Sequence, residues 1–158
     1  MKRSLLFAAA VVFVSALSAN AQTMSYGTSI TLDAAKKVAA PAVAEAVKNK
    51  LTMVIAVVDT AGDLVYLERM DDTQVGSVNV ALGKARSAAR FKRPTKAFQD
   101  ALAAGGEGLR ILALEGAVPV DGGVPLVMGG KIVGAIGVSG GTSAQDGQVA
   151  AAGVAALK

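Results

Sequence analysis

The spacing of apolar residues divides the chain into helical and extended segments. Between Thr31 and Lys50 they recur at intervals of three and four, which predicts an amphipathic helix capped by Thr31. Pro41 inside this helix lacks an amide hydrogen and is expected to kink it. Met53–Val58, by contrast, is a continuous apolar run, which indicates a strand covered on both faces. The polar turn after it predicts a β-hairpin over Met53–Arg69.

The second half of the chain alternates between helical and extended patterns in the same way. Thr95 and Ser143 are predicted helix N-caps, and Asp146 three residues after Ser143 forms a variant of the capping box. Gly129 and Gly130 are predicted to form a two-residue hairpin turn, because glycine tolerates positive φ at both positions. Since hairpins supply the strands, the predicted fold class is α/β of the α+β type, with a mainly antiparallel sheet flanked by helices. The segments are two helices, a short strand, a hairpin and a last helix: Ser77–Phe91, Thr95–Leu102, Ile111–Leu114, Val124–Val138 and Ser143–Leu157.

The first 21 residues have the pattern of a secretory signal peptide. Lys2 and Arg3 precede the apolar run Leu5–Leu17, which is too short to span a bilayer, and small residues at positions 18–21 form a cleavage site. We therefore predict removal of residues 1–21, export to the periplasm or the extracellular space, and no stable membrane span afterwards. The alternative is an uncleaved membrane anchor. Residues 22–158 are predicted to form a single domain, because no linker or repeat divides them.

Composition excludes several classes of chemistry. The chain has no His and no Cys, which excludes disulfides, thiolate catalysis, Ser-His-Asp catalysis and the usual zinc sites. Which metal, if any, the chain binds stays unknown at this point. Loss of Lys2 and Arg3 with the signal peptide lowers the net charge from +4 to +2, and the chain has no Trp, so we expect no nucleic-acid partner.

The glycine-rich segment Gly129–Asp146 invites interpretation as a nucleotide-binding loop, but its spacing matches neither the phosphate-binding loop nor the dinucleotide fingerprint. Gly134 and Gly137 lie inside a predicted strand, where glycine indicates the close approach of another body, either a helix or a flat ligand. Gly140 and Gly141 precede a predicted helix, whose free amide groups can bind an anion. A purely structural role in turns and caps is the competing interpretation for these glycines.

A basic cluster without any acidic residue follows the middle of the chain. Arg86, Arg90 and Arg93 have the spacing of one helix face, which favours recognition of a carboxylate or phosphate by arginine. A solvated helix face or a subunit contact explains the same charges. The cluster consists of Lys84, Arg86, Arg90, Lys92, Arg93 and Lys96.

Four blocks of the sequence resemble the GlcG/HbpS family, whose members include haem-binding extracellular proteins. The blocks occur in the family's order and cover nearly the whole predicted mature chain. The resemblance implies a profilin-like fold, with an antiparallel sheet flanked by helices, and assembly into homo-oligomers. The blocks are Val58–Gly62, Arg69–Asp71, Lys84–Ala88, and Gly134–Gly141 with Asp146.

The resemblance also implies a ligand and a site. In haem-binding relatives a hydroxyl residue of the third block is linked to the haem site, and the matching residue is Ser87. With no His in the chain, an axial ligand would be Met70, Tyr66, another Met or Tyr, or an oxygen donor. We therefore predict that haem or another tetrapyrrole binds in a cleft near the second helix and the glycine-rich strand, with arginines holding its carboxylates. The predicted ligand-binding residues are Ser87, Lys84, Arg86, Arg90, Met70, Gly140 and Gly141.

Two other functions stay open from the sequence. The first is an accessory factor or enzyme of hydroxy-acid (glycolate) metabolism, in which Asp59, Lys84 and Asp146 would be the polar residues involved. Asp59, beside a turn, is also expected to bond its own backbone. The second is a ligand-free structural oligomer, because the alanine-rich helix faces suit tight subunit packing. We expect binding rather than catalysis.

Overall fold

The structure is a computed structural model and describes residues 24–157. The predicted signal peptide lies outside the described residues. No helix within residues 24–157 is both long and apolar enough to cross a membrane. In chain order the elements are α1 (Leu32–Lys48), β1 (Val54–Val58), β2 (Leu64–Arg69), α2 (Ser77–Phe91), α3 (Thr95–Ala103), a 3₁₀ helix (Gly106–Ala113), β3 (Gly123–Met128), β4 (Lys131–Ser139) and α4 (Ser143–Ala155).

The strands form an antiparallel sheet in the order β2–β1–β4–β3. Every residue of β1 is buried, which agrees with the central position predicted from its continuous apolar run. Gly129 and Gly130 connect β3 to β4 with φ angles of 54° and 73°, so the predicted glycine turn is confirmed. The predicted α+β fold with helices flanking an antiparallel sheet is also confirmed.

Helices cover both sides of the sheet, and successive residues of a strand point to opposite sides. On the α1 face, Ile55 and Val57 pack with residues of α1 and α4 into the larger core. On the α2 face, Ala56 and Val58 pack against alanines of α2. These helix alanines are buried inside the protomer, so the faces expected to suit subunit packing are used by the fold itself. The sheet therefore separates two apolar cores.

The predicted strand Ile111–Leu114 is wrong, because residues 106–113 form the 3₁₀ helix. Gly105 and Gly106 take positive φ and turn the chain into this helix. Only Ile111 of the short apolar run is buried, whereas Leu112 and Leu114 are exposed. So short an apolar run cannot distinguish a strand from a helical turn by its periodicity.

Two predicted N-caps are also wrong, each by one residue. Thr95 is the first residue of α3 rather than its cap, and its buried hydroxyl accepts a hydrogen bond from the Gly123 amide at 2.9 Å. Thr142 caps α4 in place of Ser143, and forms a capping box with Gln145. Asp146 is therefore not the capping-box residue and makes a different set of bonds.

Candidate functional site

Lys84 and Asp146 form a buried ion pair between α2 and α4. The ammonium Nζ lies 2.6 Å from Asp146 Oδ2 and donates a second bond to the Val138 carbonyl at 3.0 Å. The two side chains are only 1% and 4% exposed. Lys84 thus fixes α2 to β4 and to the first turn of α4. The alternative of a solvated helix face does not hold for Lys84, because its whole length is enclosed by the fold.

The second oxygen of Asp146 holds the glycine pair that precedes α4. Asp146 Oδ1 accepts a hydrogen bond from the Gly141 amide at 3.0 Å. Burial raises the pKa of Asp146, while the bonds from Lys84 and Gly141 act in the opposite direction. The Gly141 amide, one of the groups predicted to be available for an external anion, therefore binds the protein's own carboxylate.

Ser87 is fully buried on the α2 face. Its hydroxyl accepts a hydrogen bond from the Val118 amide at 3.1 Å and so holds the segment that leads into β3. On the same face, a Cβ added to Gly137 would lie 2.1 Å from the Ala81 carbonyl oxygen. The body that approaches this glycine is therefore helix α2, the first of the two neighbours that the sequence left open.

Arg86 and Arg90 lie on the outer side of α2, against the turn between β1 and β2. The Nε of Arg86 donates to the Gly62 carbonyl at 3.0 Å, and the Nε of Arg90 donates to the Ala61 carbonyl at 2.9 Å. Asp59 Oδ1 accepts two backbone amide bonds inside the same turn, as its sequence position predicts. Both arginines therefore brace a turn with one nitrogen each.

Arg93 does not share the helix face of Arg86 and Arg90, contrary to the prediction. Lys92 takes the left-handed conformation, with φ of 53°, and ends α2 before Arg93 is reached. The Arg93 guanidinium carbon lies 5.3 Å from the centre of the Phe98 ring. The helical spacing rule fails here because the helix stops two residues too early.

Met70 lies on the opposite side of the sheet from Ser87. It is half-buried and packs against the core of the α1 face. Tyr66 belongs to the same core and donates its hydroxyl to Glu68 at 2.7 Å, a bond that raises the pKa of the phenol. The structure therefore does not bring Met70 together with Ser87, Arg86 or Arg90.

An open cavity of about 440 Å³ lies at the tip of the β3–β4 hairpin, beside the start of α1; we call it the hairpin cavity. The segment before α1 forms one wall, because the Gly27 amide bonds the Ile132 carbonyl and the Ile30 amide bonds the Val133 carbonyl, both at 2.8 Å. The lining is mainly apolar. It is formed by residues 27–31 and Ala34 from one side, and by Met128, Gly129, Lys131 and Val133 from the other.

The sequence interpretation missed Met128 and Lys131, which flank the glycine turn. The only sequence signal for them was their position on either side of Gly129 and Gly130. This position predicts only a turn, because a hairpin tip is ordinarily solvent-exposed. The wall that turns this tip into a cavity comes from residues about a hundred positions earlier in the chain.

A second open cavity, of about 340 Å³, lies between α3 and the 3₁₀ helix; we call it the α3 cavity. Phe98 and Ile111 supply apolar lining, while Arg93, Arg110 and Glu107 supply charge. Within residues 24–157, no group of three or more acidic side chains is placed to hold a metal ion. The residues that line the α3 cavity include charged side chains but no methionine, so this cavity has no sulfur donor.

Comparison with known proteins gives consistent results. Residues 30–155 match the family described as "Haem degrading protein HbpS-like". An uncharacterized 15.0 kDa protein of Citrobacter freundii is 40% identical over 119 residues, which are 74% of this chain and 84% of that protein. Protein GlcG of Escherichia coli is 41% identical over 95 residues, which are 60% of this chain and 69% of GlcG.

Two solved structures share the fold closely. A double mutant of HbpS from Streptomyces reticuli has a TM-score of 0.76 and 32% identity, over 85% of this chain and 91% of that one. A PduOC–heme complex has a TM-score of 0.74 and 26% identity, over 83% of this chain and 96% of that one.

Proposed function

Because the chain belongs to the HbpS-like family, we propose that it is an exported protein that binds haem or another flat tetrapyrrole. Two findings support the ligand: the family is described as haem degrading, and one structural neighbour is a heme complex. Export is supported by the sequence pattern of residues 1–21 alone. The carboxylates and the ring of haem are bound by basic and apolar side chains, and this chain contains both kinds.

The observation that carries the proposal is the hairpin cavity. A bound haem brings a redox-active iron, an apolar ring and two carboxylates, so the protein must offer an apolar surface, a cation and an iron donor. The hairpin cavity combines a mainly apolar lining with one ammonium group and one thioether, those of Lys131 and Met128. The groups present therefore fit this ligand, although the chain has no His.

Arg86 and Arg90 stay a prediction as partners of ligand carboxylates. Among residues 24–157 neither arginine forms an ion pair, so their charge is not neutralised by a neighbouring acid. Arg90→Ala tests this site, since Arg90 is exposed and, within residues 24–157, its side chain bonds only the Ala61 carbonyl.

The hydroxy-acid alternative receives less support from the geometry. Asp59 bonds two backbone amides, and Lys84 and Asp146 bond each other in a buried pair. A catalytic acid or base must reach its substrate directly or through one water molecule. These three residues instead have partners within the fold, which favours a binding role for the protein.

A haemin titration of the protein without residues 1–21 tests ligand binding. We expect a saturable shift of the haem absorption band at micromolar concentration, and saturable quenching when iron-free protoporphyrin is used instead. A flat anionic dye without the tetrapyrrole ring is the control. An absorption spectrum that equals that of free haemin at every ratio would reject the proposal.

Export is tested separately, by expressing the full chain and fractionating the cells. The mature protein is expected outside the cytoplasm, with Gln22 as its first residue on N-terminal sequencing. A cytoplasmic protein that still begins at Met1 would contradict export and leave the ligand proposal intact.

Light scattering with and without haemin measures whether the protein is the predicted homo-oligomer.

A further inference from the structure

We propose that, in the hairpin cavity, Met128 supplies an axial thioether ligand to haem iron and Lys131 pairs with a haem carboxylate. This inference rests on the proposed function and names the residues of its site. It differs from the site predicted on the α2 face, which used Ser87 and the arginines.

The argument for Met128 begins with the donors that the chain has. Without His or Cys, the soft donors are its five Met residues, and methionine is an established axial ligand of haem iron. Met53 is completely buried, and Met70 packs into the core of the α1 face. Met24, whose backbone carbonyl accepts a bond from Lys92, lines neither the hairpin cavity nor the α3 cavity, and Met1 lies outside the described residues. Met128, in contrast, is 44% exposed and lines a cavity.

The hairpin places Met128 and Lys131 on the same side. They are directly opposite each other in the register of β3 and β4, across the glycine turn. Opposite residues of an antiparallel pair project to the same face, with Cβ atoms about 5 Å apart. Lys131 and Val133 both approach the position of a Cβ on Gly27, at 3.0 and 3.6 Å, so this side faces the cavity wall. A thioether and an ammonium therefore flank one apolar space.

Lys131 also has the charge that a carboxylate needs. The ion pairs within residues 24–157 join Lys48 to Glu45, Lys84 to Asp146 and Lys96 to Asp100, so Lys131 takes part in none of them. Its side chain is exposed at the rim of the cavity. A charge-assisted hydrogen bond to a carboxylate would therefore not compete with an internal partner.

The opposite wall is held in place before any ligand arrives. The Ile132 amide donates to the Ser25 carbonyl at 3.0 Å, and two further backbone bonds hold Gly27 and Ile30 to β4. Ile30 and Val133 supply the apolar surface between these bonds. A wall fixed by backbone hydrogen bonds reduces the ordering cost of binding a flat ligand.

The test compares Met128→Leu with Met70→Leu, two isosteric changes at the two competing thioethers. We expect Met128→Leu to weaken haemin binding at least about tenfold and to change the visible spectrum of the complex. Its affinity for iron-free protoporphyrin should stay unchanged, because that ligand has no iron to bind. Met70→Leu should leave both affinities and the spectrum as in the original protein.

The same titrations compare Lys131→Ala with Lys36→Ala, a change at an exposed lysine of α1 that lines neither cavity. Lys131→Ala should weaken haemin and protoporphyrin alike, about tenfold, and should have no effect on a haem dimethyl ester, which has no free carboxylate. Lys36→Ala should change none of the three affinities. Circular dichroism confirms that each variant is folded.

Each other outcome overturns the inference. If Met128→Leu keeps the original spectrum and affinity, haem binds without Met128, and the proposed function survives. A loss confined to Met70→Leu or Arg90→Ala would place the site elsewhere. If haemin fails to bind the unmodified protein, the proposed function itself fails, and with it this assignment.

Discussion

The α2 face and the hairpin cavity use their polar side chains in opposite ways. On the α2 face, Lys84 and Ser87 are buried, and each bonds a partner inside the protein, which for Lys84 is the buried Asp146 of α4. At the hairpin cavity, Met128 and Lys131 are exposed beside an apolar wall. The residues within the most recognisable sequence blocks therefore hold the fold together, while less distinctive residues at a hairpin tip are available to a ligand.

The largest expected effect comes from breaking the buried ion pair. Lys84→Met or Asp146→Ala should each lower the free energy of unfolding by about 3–5 kcal/mol, because the remaining charge stays buried without its partner. The double variant Lys84→Met/Asp146→Leu should lose less than the sum of the two single losses. Urea unfolding at neutral pH measures all three.

The exposed pair Lys96 and Asp100 is the matched control. Its side chains are 51% and 58% exposed, and an exposed ion pair contributes about 0–1 kcal/mol. Lys96→Ala should therefore change stability only slightly. Equal losses for Lys84→Met and Lys96→Ala would show that burial of the first pair has no energetic consequence, and would remove the contrast between the two regions.

A smaller effect is expected for Ser87→Ala. The substitution leaves the Val118 amide without its acceptor, which should cost about 1–3 kcal/mol of stability. Haemin affinity should stay unchanged if the ligand occupies the hairpin cavity. Ser143→Ala, at the start of α4, is a control, because the Ser143 hydroxyl accepts no amide hydrogen bond within residues 24–157. Reduced haemin affinity of a folded Ser87→Ala protein would instead favour the site predicted from the sequence.

The smallest effect concerns the titration of Asp146. Burial raises its pKa above the usual value of 3.8, so the folded protein retains a proton that the unfolded chain has already lost. The bound proton contributes fully to the free energy of unfolding when the pH is below the pKa of Asp146 in the unfolded chain. This contribution is lost as the pH rises through the pKa of Asp146 in the folded protein. Asp146→Asn cannot lose that proton, so its stability should improve relative to the original protein as the pH rises through this window.

Urea unfolding of both proteins between about pH 3 and pH 7, a range that contains the usual carboxyl pKa values, provides the measurement. A stability difference that moves in the opposite direction would mean that the bonds from Lys84 and Gly141 outweigh burial. A difference independent of pH would show that Asp146 does not titrate differently in the folded state.

Much of the fold follows from local sequence patterns, and the failures have local causes. The buried strand β1 and the hairpin turn at Gly129 and Gly130 were predicted, because an apolar run and a glycine pair each specify one structure. Ile111–Leu114 was predicted wrongly, since four residues are too few to show a period. The cap of α4 was misplaced by one residue because Thr142 and Ser143 are both good caps.

The candidate site was less predictable than the fold. Ser87, Lys84 and Arg86 come from one block, and helical spacing indicates only which residues share a helix face. Which side of α2 the sheet covers depends on β4, about fifty residues later, so the burial of Lys84 and Ser87 could not be read from that block. Met70 has the same limitation, because the side of the sheet on which it lies depends on strand register.

Neighbouring residues and composition account for the segments that become helices and strands, for the glycine turn and for the absence of His and Cys chemistry. Which polar groups are available to a ligand depends instead on how the helices and strands pack together. It pairs Lys84 with Asp146, 62 residues away, and brings the segment before α1 against β4 to form the hairpin cavity. Burial and pairing are long-range properties, set by the contacts that the folded chain makes.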